Sequence, residues 1–156
     1  MGWVAGVSIR TRMLSMALLA VMTIAPAWAA PLFLDAGSSL PGDMPFSAAV
    51  RQGAVLYLSG QLGVLPGTRT LPPGGIRVEA RQAILNSESV RKADGRGLHD
   101  VIRCTVMLAA IAEWPAFNAV WVSMLDKPYP ARSALGTTGL ALGGRVEIDC
   151  LAAAGP

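Results

Sequence analysis

The stretch Val146-Glu147-Ile148-Asp149-Cys150-Leu151 constrains the fold of this 156-residue chain more than any other. Val146, Ile148 and Cys150 share one face of a strand, and the two acids share the other. A strand that is otherwise core-like seldom keeps a carboxylate without a use for it, because burying an unpaired charge is costly. The natural partner is an arginine, and Arg132 opens the preceding strand-like stretch in Pro130-Ala131-Arg132-Ser133. A short connection through Gly143-Gly144 is expected to make these stretches neighbours and to bring a guanidinium and a carboxylate into one small pocket. Such a pair can bind an anion and move a proton.

At the other end, Arg10 and Arg12 precede the apolar run Met13 to Ile24, which closes on a helix breaker and the small residues of Ala27-Trp28-Ala29-Ala30. This is the pattern of a secretory signal peptide cut after Ala29. The run falls short of the roughly 20 apolar residues of a membrane span; an uncleaved anchor is the alternative. The expectation is therefore a signal peptide over 1–29 and one domain over 30–156, periplasmic or secreted and free of the membrane once cut. Segment 1–29 holds two of the thirteen basic residues and none of the ten acids, which leaves eleven against ten, a net charge of +1. No basic stripe with interleaved aromatics remains, so nucleic acid is not an expected partner.

Cys104 shares a strand face with Ile102, Val106 and Leu108, and Cys150 shares one with Val146 and Ile148. Both thiols thus point toward apolar layers. Disulfide geometry is demanding, which favours inert buried thiols; a disulfide is the alternative if the two strands are neighbours. No metal site is expected from two cysteines and a single histidine without a ligand cluster. That histidine, His99, reads as an exposed connector residue.

Along the mature chain, Phe46 to Val50 and Val55 to Leu58 read as a hairpin turning at Gly53, with a third extended piece near Gln61. Ala80, Ala83, Ile84, Ser87, Val90 and Ala93 recur at helical spacing and predict an amphipathic helix from about Val78 to Ala93, ended by Asp94-Gly95. A strand from Val101 to Ala109 follows. A second helix has Pro115 near its start and packs through Phe117, Val120, Trp121 and Leu125. Strands near Ser133 to Thr138 and Arg145 to Ala152 complete an α+β layer with both helices on one face of the sheet.

Pro45-Phe46-Ser47-Ala48-Ala49-Val50, Leu56-Tyr57-Leu58-Ser59-Gly60-Gln61, Pro130-Ala131-Arg132-Ser133 and Val146-Glu147-Ile148-Asp149 stand in the order and approximate spacing of the RidA (YjgF) family. The chain resembles that family from about Leu40 to Ala153. The resemblance implies a chorismate-mutase-like α+β fold, a homotrimer, and small-molecule sites in the clefts between subunits. It also implies hydrolysis of an enamine or imine such as 2-aminoacrylate to a 2-oxo acid and ammonia, without metal or organic cofactor.

In that chemistry Arg132 holds the carboxylate of the substrate with two parallel hydrogen bonds, and Glu147 is the catalytic group that shuttles protons. Ser59 and Gly60 match the family's Ser-Gly-Gln segment, where the glycine permits close approach. Asn118, in a stretch similar to the family's Asn-x-x-Tyr, lines or braces the pocket. The plainer alternatives are a solvated Arg132 paired with Asp126, a structural pair of Glu147 with Arg103 or Arg145, and a helix-surface Asn118. Phe46 stands where many members have tyrosine and Ala134 where many have cysteine, which implies a drier, less reactive pocket suited to a larger or more apolar imine. A periplasmic protein that binds a small carboxylate without turnover is the other function considered. Ribonuclease activity finds no support in one histidine and no basic groove.

Overall fold

The computed structural model describes residues 1–2, 30–35, 41–42 and 44–154. Apart from its first two residues, the expected signal peptide lies outside the described residues. The elements are β1 (Leu32–Leu34), β2 (Ala49–Gln52), β3 (Val55–Leu62), α1 (Ile76–Ala93), β4 (Val101–Leu108), α2 (Trp114–Met124), β5 (Ala131–Gly136) and β6 (Val146–Ala153). They form one six-stranded sheet of order β1-β2-β3-β6-β4-β5. The expected α+β architecture is observed. Beyond it, β1 is an added edge strand, and the extended piece near Gln61 is the end of β3, continued past an irregularity between Leu58 and Gln61.

One expected adjacency does not occur. The strand carrying Arg132 does not lie beside the one carrying Glu147; β5 pairs in parallel with β4, and β4 separates it from β6. A parallel pair needs a crossover, and α2 is that crossover, carrying the chain from the end of β4 back to the start of β5. The Gly143-Gly144 connection then spans β4 to reach β6.

Strand periodicity decides which sheet face is covered. Val146, Ile148, Cys150 and Ala152 of β6 are buried, as are Cys104, Val106 and Leu108 of β4. They pack with Ala80, Ala83, Ile84 and Val90 of α1 and with Phe117, Val120 and Trp121 of α2. Helix α1 seats closely because residue 63 is glycine: a Cβ there would lie 2.4 Å from the carbonyl oxygen of Glu79. From the same helix, the Asn86 amide donates to the carbonyls of Leu62 and Val64 at 2.8 and 2.9 Å. The buried Glu79 accepts from the Arg145 backbone N–H at 2.8 Å, which fixes the entrance to β6. The sheet's other face carries no helix and leaves Tyr57 and Leu135 partly exposed.

The preference for free thiols is overturned, because Cys104 and Cys150 form a disulfide. Residues 104 and 150 sit directly opposite each other in the antiparallel β4–β6 pair, with Cα atoms 4.1 Å apart, so register alone brings the side chains together. With a sequence separation of 46, the chain-entropy view of cross-linking gives about 4 kcal/mol of stabilisation. Reduction, or the double change Cys104→Ala and Cys150→Ala, is expected to lower the unfolding free energy by about that amount. Urea titrations with and without a dithiol reductant measure it directly.

Candidate functional site

Arg132 lies in register with Cys104, and paired residues of adjacent strands point to the same side of a sheet. Its side chain therefore rises on the helix side, where α2 receives it. The guanidinium carbon is 5.0 Å from the ring centre of Trp121, 5.6 Å from Phe117 and 5.8 Å from Trp114. These separations suit cation–π attraction. Nη2 donates to Oδ1 of Asn118 at 2.7 Å, whereas Nη1 is buried without a partner. Among the described residues no carboxylate pairs with this guanidinium, Asp126 included. Burial holds its pKa below the ordinary arginine value. Arg132 is thus an aromatic-walled, oriented cation with an unmet donor, and a planar carboxylate matches it.

Asn118 is accordingly the residue that orients Arg132 rather than a bystander on the helix surface. The aromatic box was hidden in the sequence because Phe117 and Trp121 read only as core, and Trp114 carried no assigned role. Its signal is there all the same: residues 114, 117 and 121 follow the three- and four-residue spacing of one helix face. Ala134, two residues along β5, shares the Arg132 side of the strand and packs partly against the core.

Glu147 occupies the opposite side of the sheet, three residues from Cys150 and thus of opposite parity. Its carboxyl fits because residue 60 is glycine: a Cβ at Gly60 would lie 2.0 Å from Oε1 of Glu147. The irregularity in β3 falls at Ser59-Gly60, as bulges beside functional side chains often do. The Ser59 hydroxyl donates to the Ser47 carbonyl at 2.7 Å and ties down the segment next to Phe46, itself 48% exposed. Burial pushes the Glu147 carboxyl above its ordinary pKa, and the nearby Asp149 charge adds to the shift. Neither Arg103 nor Arg145 pairs with it; Arg145 bonds Glu113 instead.

The candidate residues therefore fall into two groups. Arg132, Asn118 and Ala134 stand on the helix side at one edge, whereas Glu147, Gly60 and Ser59 belong to the β3–β6 part of the sheet, with Phe46 in the segment before β2. The single pocket expected from the sequence is not formed within one chain, because α2 draws β5 to the far side of β4. The first group can hold a carboxylate, and the second offers a carboxyl whose raised pKa suits it to give and take a proton. Among the described residues there is no cluster of histidine, cysteine and acidic side chains that could hold a metal.

Residues 37–154 match the family model described as Endoribonuclease L-PSP. Over 112 residues the chain is 41% identical to the 2-iminobutanoate/2-iminopropanoate deaminase of Capra hircus, spanning 72% of this chain and 82% of that protein. Identity to the protein of the same name from Homo sapiens is 36%, with the same coverage of both chains. The crystal structure of RidA from the Antarctic bacterium Psychrobacter superposes with a TM-score of 0.73 at 33% identity, over 78% of this chain and 98% of that one.

The contact between Gly60 and Glu147 yields a coupled prediction. Gly60→Ala alone is expected to destabilise the fold by about 1–3 kcal/mol, the usual range for overpacking. In a Glu147→Ala background, where the obstructing carboxyl is gone, it is expected to cost far less. Chemical denaturation of the four proteins in this double-mutant cycle measures the coupling, and additive losses would refute the contact.

Proposed function

The chain belongs to the RidA family, and from that premise we propose that it is an enamine/imine deaminase converting 2-imino acids to 2-oxo acids and ammonia. The observation that carries the reading is Arg132, a cation oriented by Asn118, walled by three aromatic rings and unpaired with any carboxylate among the described residues. A 2-imino acid carries a carboxylate next to its electrophilic carbon, so gripping the carboxylate positions that carbon. Water adds to the carbon while Glu147 accepts its proton. Glu147 returns that proton to nitrogen to give a carbinolamine, then carries the carbinolamine hydroxyl proton to the amino group as the C–N bond breaks, which releases ammonia and the 2-oxo acid. The imine carbon is already electrophilic, so the scheme uses neither cofactor nor metal.

The two groups of residues face opposite sides of one sheet, which suggests a site completed by a second copy. In this reading Arg132, Asn118 and Ala134 of one subunit meet Glu147, Gly60, Ser59 and Phe46 of the next. The helix-free face supports such an assembly: Tyr57 and Leu135 are 49% and 44% exposed there, and apolar surface of this kind favours association. The proposed state is a homotrimer with three equivalent clefts. Phe46 and Ala134, in place of the family's usual tyrosine and cysteine, give these clefts an apolar lining suited to larger side chains. The proposed address is the periplasm or beyond, supported by the arginine-flanked apolar run at the N-terminus and by a disulfide that an oxidising compartment maintains.

The test is ammonia release from imines generated in situ by an amino-acid oxidase. Arg132→Ala is expected to lower kcat/KM about 100-fold, the equivalent of ~3 kcal/mol of charge-assisted hydrogen bonding. Glu147→Gln is expected to nearly abolish turnover while still binding a 2-oxo acid. Co-expressing these two inactive variants tests the composite site: each mixed trimer regains both groups in one of its three clefts, about a quarter of all clefts on random assembly. No recovery from mixed, folded trimers would place both groups on one subunit. A folded wild type that binds 2-oxo acids through Arg132 without accelerating hydrolysis would replace catalysis by carboxylate binding.

Glu147 also carries a pH signature. Its folded-state pKa is raised, so the native protein favours the protonated form, and this contribution to stability is lost as pH rises through the folded pKa. Glu147→Gln is therefore expected to be more stable than wild type at neutral pH, with the gap closing in acid. Thermal melts of both proteins from pH 3 to 8 check the sign.

A further inference from the structure

Three rings wall the Arg132 guanidinium, but they are not equally open to a ligand. Phe117 and Trp121 are buried in the core, whereas Trp114, in the first turn of α2, is 40% exposed. Along the helix side of β5, Arg132 is followed by Ala134 and then Gly136, in register with Cys104, Val106 and Leu108. A methyl group and a hydrogen are therefore all that succeed the cation along ~13 Å of strand. At the far end stands Ile111, three residues before Trp114. It comes so close to the strand that a Cβ at residue 136 would lie 3.1 Å from its own Cβ. Because β5 is the last strand of the sheet, no further strand flanks this strip. The outcome is a shallow trough with a guanidinium at one end, an accessible indole beside it and an isoleucine at the other end.

We propose that this trough selects 2-imino acids bearing an aryl group on C3, those derived from aromatic amino acids, over small aliphatic ones. The inference rests on the deaminase reading of the same site and names its substrate class. A carboxylate held by Arg132 places C2 beside the guanidinium and directs C3 along the strip that Ala134 and Gly136 leave empty. An aryl ring on C3 begins three bonds from the carboxylate carbon. That reach is comparable with the 5.8 Å between the guanidinium and the Trp114 ring centre, so the ring meets the indole without releasing Arg132. A methyl side chain stops short of it. A longer aliphatic chain gains only buried area there, whereas a planar ring also gains the offset or edge-to-face contact that aromatic pairs favour. A residue larger than alanine at 134 would occupy the strip, so its small size and the exposed Trp114 serve the same ligand.

Phenylpyruvate and pyruvate, stable 2-oxo acids of the two side-chain classes, separate binding from turnover. By calorimetry the wild type is expected to bind phenylpyruvate about tenfold more tightly than pyruvate. Imines generated in situ from phenylalanine and alanine by an amino-acid oxidase are expected to show the same preference in kcat/KM. Trp114→Leu is expected to cut the preference to about twofold, and Trp114→Phe to keep most of it. Equal wild-type affinities, or a preference unchanged in Trp114→Leu, would overturn the proposal. A phenylpyruvate preference without turnover of either imine would sink the deaminase reading and keep the trough; turnover of both imines at equal kcat/KM, with equal affinities for the two 2-oxo acids, would do the reverse. Should Trp114→Leu fail to fold, the wild-type comparison still decides the matter.

Discussion

The register in which β4 and β6 pair is the constraint on which the rest of the molecule depends. Placing Cys104 opposite Cys150 closes the disulfide, sends Val106 and Ile148 inward, and turns Glu147 and Asp149 to the uncovered face. A slip of one residue would bury the acids and expose the apolar row, so the hydrophobic pattern and the cross-link specify the same alignment. Neighbouring elements inherit it. Arg132 is carried in register with Cys104, and Glu147 meets the space left by Gly60 only because β3 pairs with β6 as it does.

Much of this was legible in the sequence, for reasons that can be traced to individual residues. Alternation in Val146 to Leu151 revealed β6 and the orientation of its acids, and the spacing of Ala80, Ala83, Ile84, Ser87 and Val90 revealed α1. Both signals are local, set by a side-chain period of two or 3.6. Topology is not local. Nothing in residues 137 to 145 says that the chain must pass over β4, and so Arg132 and Glu147 read as neighbours when a strand separates them. The disulfide stood only as the less favoured alternative for the same reason: two cysteines on inward faces become a bond only when their strands are adjacent and opposed in register.

The candidate site residues divide along the same line. Arg132 and Glu147 were identifiable because a guanidinium and an acid within apolar strands demand explanation. Asn118 became informative only once α2 placed its side-chain oxygen on the guanidinium, and the buried Glu79 drew no attention until Arg145 was found to donate to it. Arg91, near the end of α1, shows the same failure. It follows Ile84 by seven residues and Ser87 by four, which puts it on the buried face of α1, yet a charged side chain there drew no reading from the sequence.

Trp121 occupies a singular position among these features. Its ring forms a wall for the Arg132 guanidinium and also lines a small cavity bordered by Arg91 and the disulfide. One indole therefore stands between two cations and beside a pair of bonded sulfurs, each of which alters the excited state of such a ring. The molecule carries its own optical reporter: a change on either side of this residue registers in ultraviolet emission, with no label attached.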